Sequence, residues 1–150
     1  WNAGNFGWGA DSTQHMIWRL ENGELDGVEP RVIVILAGTN NVGNEPKDAT
    51  RVADEVTQGI QEIVRICQQK APDAEILLTG ILPRNDNPRD PRAAMPTIER
   101  INANLERLSD GERVRFVSIN NTLADEGGTL RDGMTVDGLH LSLRGYQVWA

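Results

Sequence analysis

An α/β fold around a parallel sheet is the architecture this sequence predicts, and three observations predict it. Residues 31–37 (RVIVILA) form an unbroken apolar run of β-branched and leucine residues, ended by Gly38. A strand buried on both faces of a parallel sheet reads this way, whereas a strand with one wet face alternates. Residues 48–69 then place Ala49, Val52, Ala53, Val56, Ile60, Ile63, Val64 and Cys67 at spacings of three and four, one apolar stripe along a helix. Downstream, strand-like and helix-like segments keep alternating, which implies a layered sheet with right-handed crossovers.

Ahead of the first strand, residues 12–20 read as a short helix carrying Met16, Ile17 and Leu20, with Asp11 or Ser12 as its N-cap. Pro46 falls where the first turn of the long helix tolerates a proline, and Pro72 lies past its end. Residues 75–82 (EILLTGIL) are the second buried strand. A polar, proline-rich loop follows at 83–92 (PRNDNPRDPR). Its Arg84, Arg89 and Arg92 read as solvated side chains, with contact to an anionic substrate as the alternative. Residues 97–108 form a second amphipathic helix through Ile98, Ile101, Leu105 and Leu108. Residues 113–119 (RVRFVSI) are a third strand, 120–138 a long glycine-rich acidic loop, and 142–150 the start of a last helix.

The chain's 150 residues make one ordinary domain. With 39% hydrophobic and 25% charged residues it fits a globular chain, not a disordered one. No apolar run approaches the roughly 18 residues of a membrane-spanning helix. A net charge of -7 argues against a nucleic-acid or anionic-membrane binder. Cys67 is the single cysteine, which excludes an internal disulfide and a cysteine-cluster metal site. Cytoplasmic and secreted locations both remain open on this composition.

In parallel sheets ligands bind beyond the carboxyl ends of the strands. Three segments fall there: Gly38-Thr39-Asn40-Asn41, residues 83–92, and the long loop running to His140. Asp137 precedes His140 by three residues. That spacing can bring a carboxylate to imidazole Nδ1, fix the tautomer and leave Nε2 as a general base. An ordinary loop histidine beside an aspartate has the same pattern. The other histidine, His15, reads as a packing or capping residue on the first helix. Asn40, at a strand's carboxyl end, carries an amide able to donate to an oxyanion. On its own the segment reads equally as a turn. Gly7-Trp8-Gly9 invites a dinucleotide-loop reading, but the third glycine position holds Ser12.

The combination is more specific than its parts. In order the chain carries Asn5-Phe6-Gly7-Trp8-Gly9-Ala10-Asp11-Ser12, Gly38-Thr39-Asn40-Asn41, Leu82-Pro83-Arg84, Asn102-Ala103-Asn104-Leu105 and Asp137-Gly138-Leu139-His140-Leu141. This series resembles the SGNH (GDSL-type) hydrolases, nearest the platelet-activating-factor acetylhydrolase catalytic-subunit branch. The resemblance implies a three-layer α/β/α, flavodoxin-like parallel sheet and ester hydrolysis by a serine nucleophile, with no metal or organic cofactor. It implies Asp137 and His140 as the catalytic pair, with Asn40 and the backbone N–H of Ala10 as oxyanion donors. Trp8 and Asn41, beside those motifs, are the expected substrate contacts, although packing explains a tryptophan there equally well. The implied substrate is a small-molecule ester, an acetylated carbohydrate or a lipid ester. The branch often forms dimers, and no stretch of this sequence locates an interface.

Two departures qualify the resemblance. Ala10 stands where the family has glycine, so a positive φ there would add strain of about 1 kcal/mol or more. The Gly-Asp-Ser motif is absent, and none of Ser12, Ser109, Ser118 and Ser142 has its context. The expectation is a single domain truncated at both ends. It lacks the first strand, with its Gly-Asp-Ser, and the end of the last helix. These 150 residues alone are then inactive. A non-catalytic binding module of the same fold is the rival reading, and a nucleotide-binding Rossmann-type domain a weaker one.

Overall fold

The computed structural model describes residues 2–150; Trp1 lies outside the described residues. Three strands, β1 (Val32–Ile35), β2 (Glu75–Thr79) and β3 (Val114–Val117), pair in parallel in the order β1-β2-β3. Val34 lies opposite Leu77, and Leu77 opposite Arg115. The crossovers run through α3 (Ala49–Lys70) and α4 (Met95–Glu106), and α1 (Thr13–Glu21) packs against α3. Parallel strands joined through helices make this the α/β/α class the sequence implies.

The apolar stripe makes α3 the centre of the core. Ala53, Val56, Ile60, Ile63, Val64 and Cys67 are buried, and they meet Ile76 and Leu78 of β2 and Ile98, Ile101 and Leu105 of α4. Asp48 caps α3, its Oδ1 accepting the Arg51 N–H at 3.0 Å. Pro46 therefore precedes the helix and is not in its first turn. α4 begins two residues before the expected 97, because Pro96 needs no intrahelical acceptor in a first turn.

Residues 31–37 behave differently from the expectation. The strand is shorter, and its burial is one-sided: Ile35 is buried, while Val32 and Val34 are 55% and 50% exposed. The physical reason is layering. Contacts join α1, α3 and α4 into one helical layer, and β1 stands at the edge of the three strands. By register, Val32, Val34 and Val117 share one face, and all three are exposed.

The long loop at 120–138 is also more ordered than the sequence suggests. It holds a helical turn, α5 (Asn120–Leu123), and isolated antiparallel bridges Ala124–Leu130 and Thr135–Leu141. The last helix, α6 (Leu143–Trp149), starts at Ser142, whose Oγ accepts the Gly145 N–H at 3.1 Å. One further turn, α2 (Thr39–Val42), follows β1 directly where the sequence suggested only a loop. Among the described residues, no helix is long and apolar enough to cross a membrane.

Candidate active site

The Thr135–Leu141 bridge closes a tight turn, with the Val136 N–H donating to the His140 carbonyl at 2.9 Å. Inside it, Asp137 Oδ1 accepts the N–H groups of Leu139 (3.0 Å) and His140 (2.8 Å). Its other oxygen, Oδ2, lies 2.7 Å from His140 Nδ1. The backbone N–H of His140, then its ring, then the Leu139 N–H favour the ionised form and hold the Asp137 carboxyl down to about 2. A carboxylate only accepts, so Nδ1 carries a proton, and in the neutral imidazole Nε2 is then the acceptor. Both side chains are open to solvent. The turn needs glycine at 138. Its φ is +84°, and a Cβ would fall 2.4 Å from Asn85 Oδ1.

The second group of residues gathers where β1 ends. Gly38 has a φ of +107° and lets the chain turn straight into α2. On that turn Asn40 Nδ2 donates to the Asp11 carbonyl at 2.8 Å, which uses one of its two N–H bonds. Ala10, immediately before Asp11, is the one non-glycine residue with positive φ (+63°) among the described residues. The condition for strain at Ala10 is thus met in this structure. A cleft of about 130 Å³ opens here, lined by Trp8, Asp11, Leu36, Gly38 and Asn40 among others. Trp8 stands 71% exposed at its edge. A larger open hollow, between residues 25–29 and Lys70, contains none of the predicted site residues.

The surrounding polar groups hold this loop in place. Arg19 bridges Asp11 (2.6 Å) and Glu24 (2.7 Å), and its hydrogen bond lowers the Asp11 carboxyl. Ser12, not Asp11, is the N-cap of α1. His15 turns back so that Nδ1 accepts the Ser12 N–H at 3.2 Å, the capping role expected of it. Asn41 is engaged in the same way. Its Oδ1 accepts the Thr13 N–H at 2.9 Å, and its Nδ2 donates to Gln14 Oε1 at 2.9 Å. The Asn41 amide therefore ties α2 to the start of α1 and does not line the cleft.

Each serine hydroxyl has a local partner. Ser109 Oγ donates to the Val114 carbonyl, Ser142 Oγ to the Gly133 carbonyl, Ser118 Oγ accepts the Asn120 N–H, and Ser12 Oγ pairs with His15. Arg89 and Arg92 are exposed, as the solvated reading of their loop expects, but Arg84 departs from it and is only 5% exposed. Its guanidinium holds Asp86 through two bonds (2.7 and 2.6 Å) and donates to the Thr39 carbonyl at 2.9 Å. Sequence reasoning missed this pair. The available signal was an arginine directly after a strand and a proline, with an aspartate two residues on.

With this geometry, the chain falls into the class of parallel α/β folds that carry a histidine–aspartate pair on a loop beyond the sheet. The family model described as GDSL-like Lipase/Acylhydrolase matches residues 1–148, and the chain belongs to that family. It is 37% identical over 143 residues to the bovine (Bos taurus) platelet-activating factor acetylhydrolase IB subunit alpha1, covering 95% of this chain and 57% of the relative. The human (Homo sapiens) counterpart is 36% identical, with 95% and 58% covered. The chain thus spans a little over half the length of these curated relatives. A GDSL-like lipase of Bacteroides thetaiotaomicron shares the fold with a TM-score of 0.74 at 23% identity, covering 93% of this chain and 67% of that one.

Proposed function

We propose that the whole protein hydrolyses small carboxylic esters by a serine–histidine–aspartate mechanism. The observation that carries this reading is the 2.7 Å contact between Asp137 Oδ2 and His140 Nδ1, on a ring that is open to solvent. No serine of these residues meets that nitrogen, and the chain covers 57% of its bovine relative. The nucleophile then comes from a Gly-Asp-Ser on a strand outside these 150 residues, completing one domain with them.

His140 Nε2 takes the serine proton as the hydroxyl oxygen attacks the ester carbonyl. The negative charge that develops on the carbonyl oxygen is met by the second N–H of Asn40 Nδ2 and by the backbone N–H of Ala10. His140 returns the proton to the departing alcohol, and the acyl group stays on serine. Water then attacks the acyl-enzyme, gives its proton to His140, and releases the acid as serine is reprotonated. Asp137 keeps the imidazole in the right tautomer and stabilises its charged form. Acetyl esters of a carbohydrate or a lipid are the proposed substrates, the acetyl group in keeping with the acetylhydrolase names of the mammalian relatives. Exposed Trp8 offers an apolar surface for either beside the cleft.

Hydrolysis of p-nitrophenyl acetate by the full-length protein tests the reading. The expected result is turnover that is lost in His140→Ala and absent from residues 1–150 alone. Turnover that survives His140→Ala would overturn it. Ligand binding without turnover in the full-length protein would favour the binding-module reading instead.

A further inference from the structure

We infer that Arg84 is a positioning residue that sets the oxyanion-donor turn and the histidine turn relative to one another. The inference rests on the ester-hydrolase reading of those two turns. Arg84 follows β2 and the short segment to Pro83, and its side chain is buried. On one side Nη1 donates to the Thr39 carbonyl at 2.9 Å, and Thr39 precedes Asn40 on α2. On the other, Nε and Nη2 grip both oxygens of Asp86. This planar fork is fixed in two directions at once.

The short segment 84–86 also reaches the other turn. The Asn85 N–H donates to the Gly138 carbonyl at 2.8 Å. Gly138 is so close that a Cβ would lie 2.4 Å from Asn85 Oδ1 and 3.0 Å from the Asp86 nitrogen. Gly138 is the residue between Asp137 and Leu139-His140. One short segment, 84–86, therefore touches the backbone beside Asn40 and the backbone inside the Asp137–His140 turn. Just beyond, buried Asn87 donates to the Asn44 carbonyl at 3.2 Å, tying the same segment to the chain that follows α2.

Catalysis by base and oxyanion donors depends on their separation, and a displacement near 1 Å can cost about 10²-fold. Neither Arg84 nor Asp86 lines the cleft. Their contribution is geometric and acts through Thr39 and Gly138.

Arg84→Lys in the full-length protein keeps the charge but cannot grip Asp86 and Thr39 together. The expected result is a kcat lower by about 10²-fold with KM within threefold, the signature of misplaced catalytic groups. Backbone amide resonances of Asn40 and of Leu139 and His140 should shift together, while that of Ile63 in α3 stays. A kcat within threefold of wild type, or amide shifts confined to one of the two turns, would overturn the inference. Asp86→Asn, which weakens the grip while keeping the shape, carries the same test if Arg84→Lys does not fold. A wild type without esterase activity defeats the functional reading instead. The joint or separate movement of the amide resonances still decides whether Arg84 couples the turns.

Discussion

Asp137 Oδ2 lies 2.7 Å from His140 Nδ1, while Oδ1 of the same carboxylate receives the backbone N–H groups of Leu139 and His140. Three donors on one carboxylate make the turn depend on its ionisation. The folded Asp137 is lowered from 3.8 to about 2, so the ionised form is favoured by folding. A depressed carboxyl contributes stability that is present above its unfolded value and lost as pH falls through the folded one. The turn should therefore be intact above about pH 4 and loosen between about pH 4 and 2. A carbon-13 titration of the Asp137 carboxyl checks this. A midpoint near 2 is expected, with loss of exchange protection at Leu139 and His140 over the same range. A midpoint at the ordinary aspartate value would break the link between the hydrogen bonds and the turn.

Asn40 should matter to rate more than to substrate binding. In the proposed mechanism its second N–H meets the developing oxyanion, and removing one such donor typically costs about 10²–10³ in kcat. Asn40→Ala in the full-length protein is expected to lose that much, with KM changed less than threefold. The substitution also removes the bond to the Asp11 carbonyl, so a small loss in Tm should accompany it. A drop in kcat under tenfold would remove Asn40 from the oxyanion site.

What the sequence made legible was local. The stripe along α3 depends only on spacing within one helix, and the Asp137–His140 contact only on one turn of chain. What it hid was set by distant segments. The partners of the Asn41 amide, Thr13 and Gln14, lie 28 and 27 residues upstream, so nothing beside Asn41 announces that its side chain is engaged. Arg84 is buried by closure onto Thr39, 45 residues earlier, and its charge made the solvated reading natural. The apolar run at 31–37 misled for a related reason. Whether Val32 and Val34 are covered depends on what lies on the sheet's second face, and their own sequence carries no information about that.

Ala10 invites a stabilising substitution. At a φ of +63° the alanine methyl crowds its own backbone, at a cost of about 1–2 kcal/mol for an L-residue. Glycine removes that crowding but gains freedom in the unfolded chain, worth about 0.4–1 kcal/mol in the opposite direction. Ala10→Gly should therefore stabilise by about 0.5–1 kcal/mol, read as a higher midpoint in urea at unchanged slope. The backbone N–H is kept, so kcat should stay within threefold. A lower midpoint would show that the strain is relieved elsewhere.

Gly38 is the opposite case, because two separate costs coincide there. Its φ of +107° is one that a side chain rarely adopts, and an added Cβ would fall 2.7 Å from Val56 Cγ1 and 2.8 Å from Ile81 Cδ1. Overpacking a core costs about 1–3 kcal/mol, and backbone strain adds a further ~1–2 kcal/mol. Gly38→Ala should destabilise by about 3 kcal/mol and lower kcat as well, since the displaced turn carries Asn40. Gly43, at the far end of α2, separates the two costs. It has a φ of +66° with open space around its Cβ position, so Gly43→Ala meets strain alone. Its φ of +66° with a ψ of −172° is a conformation almost confined to glycine, so that variant should lose about 1–3 kcal/mol by strain, yet keep its kcat within threefold because no clash displaces the turn. Urea unfolding of the two variants side by side measures the difference. A Gly38→Ala kcat within threefold of wild type would mean that contact with Val56 and Ile81 has no part in holding the Asn40 turn.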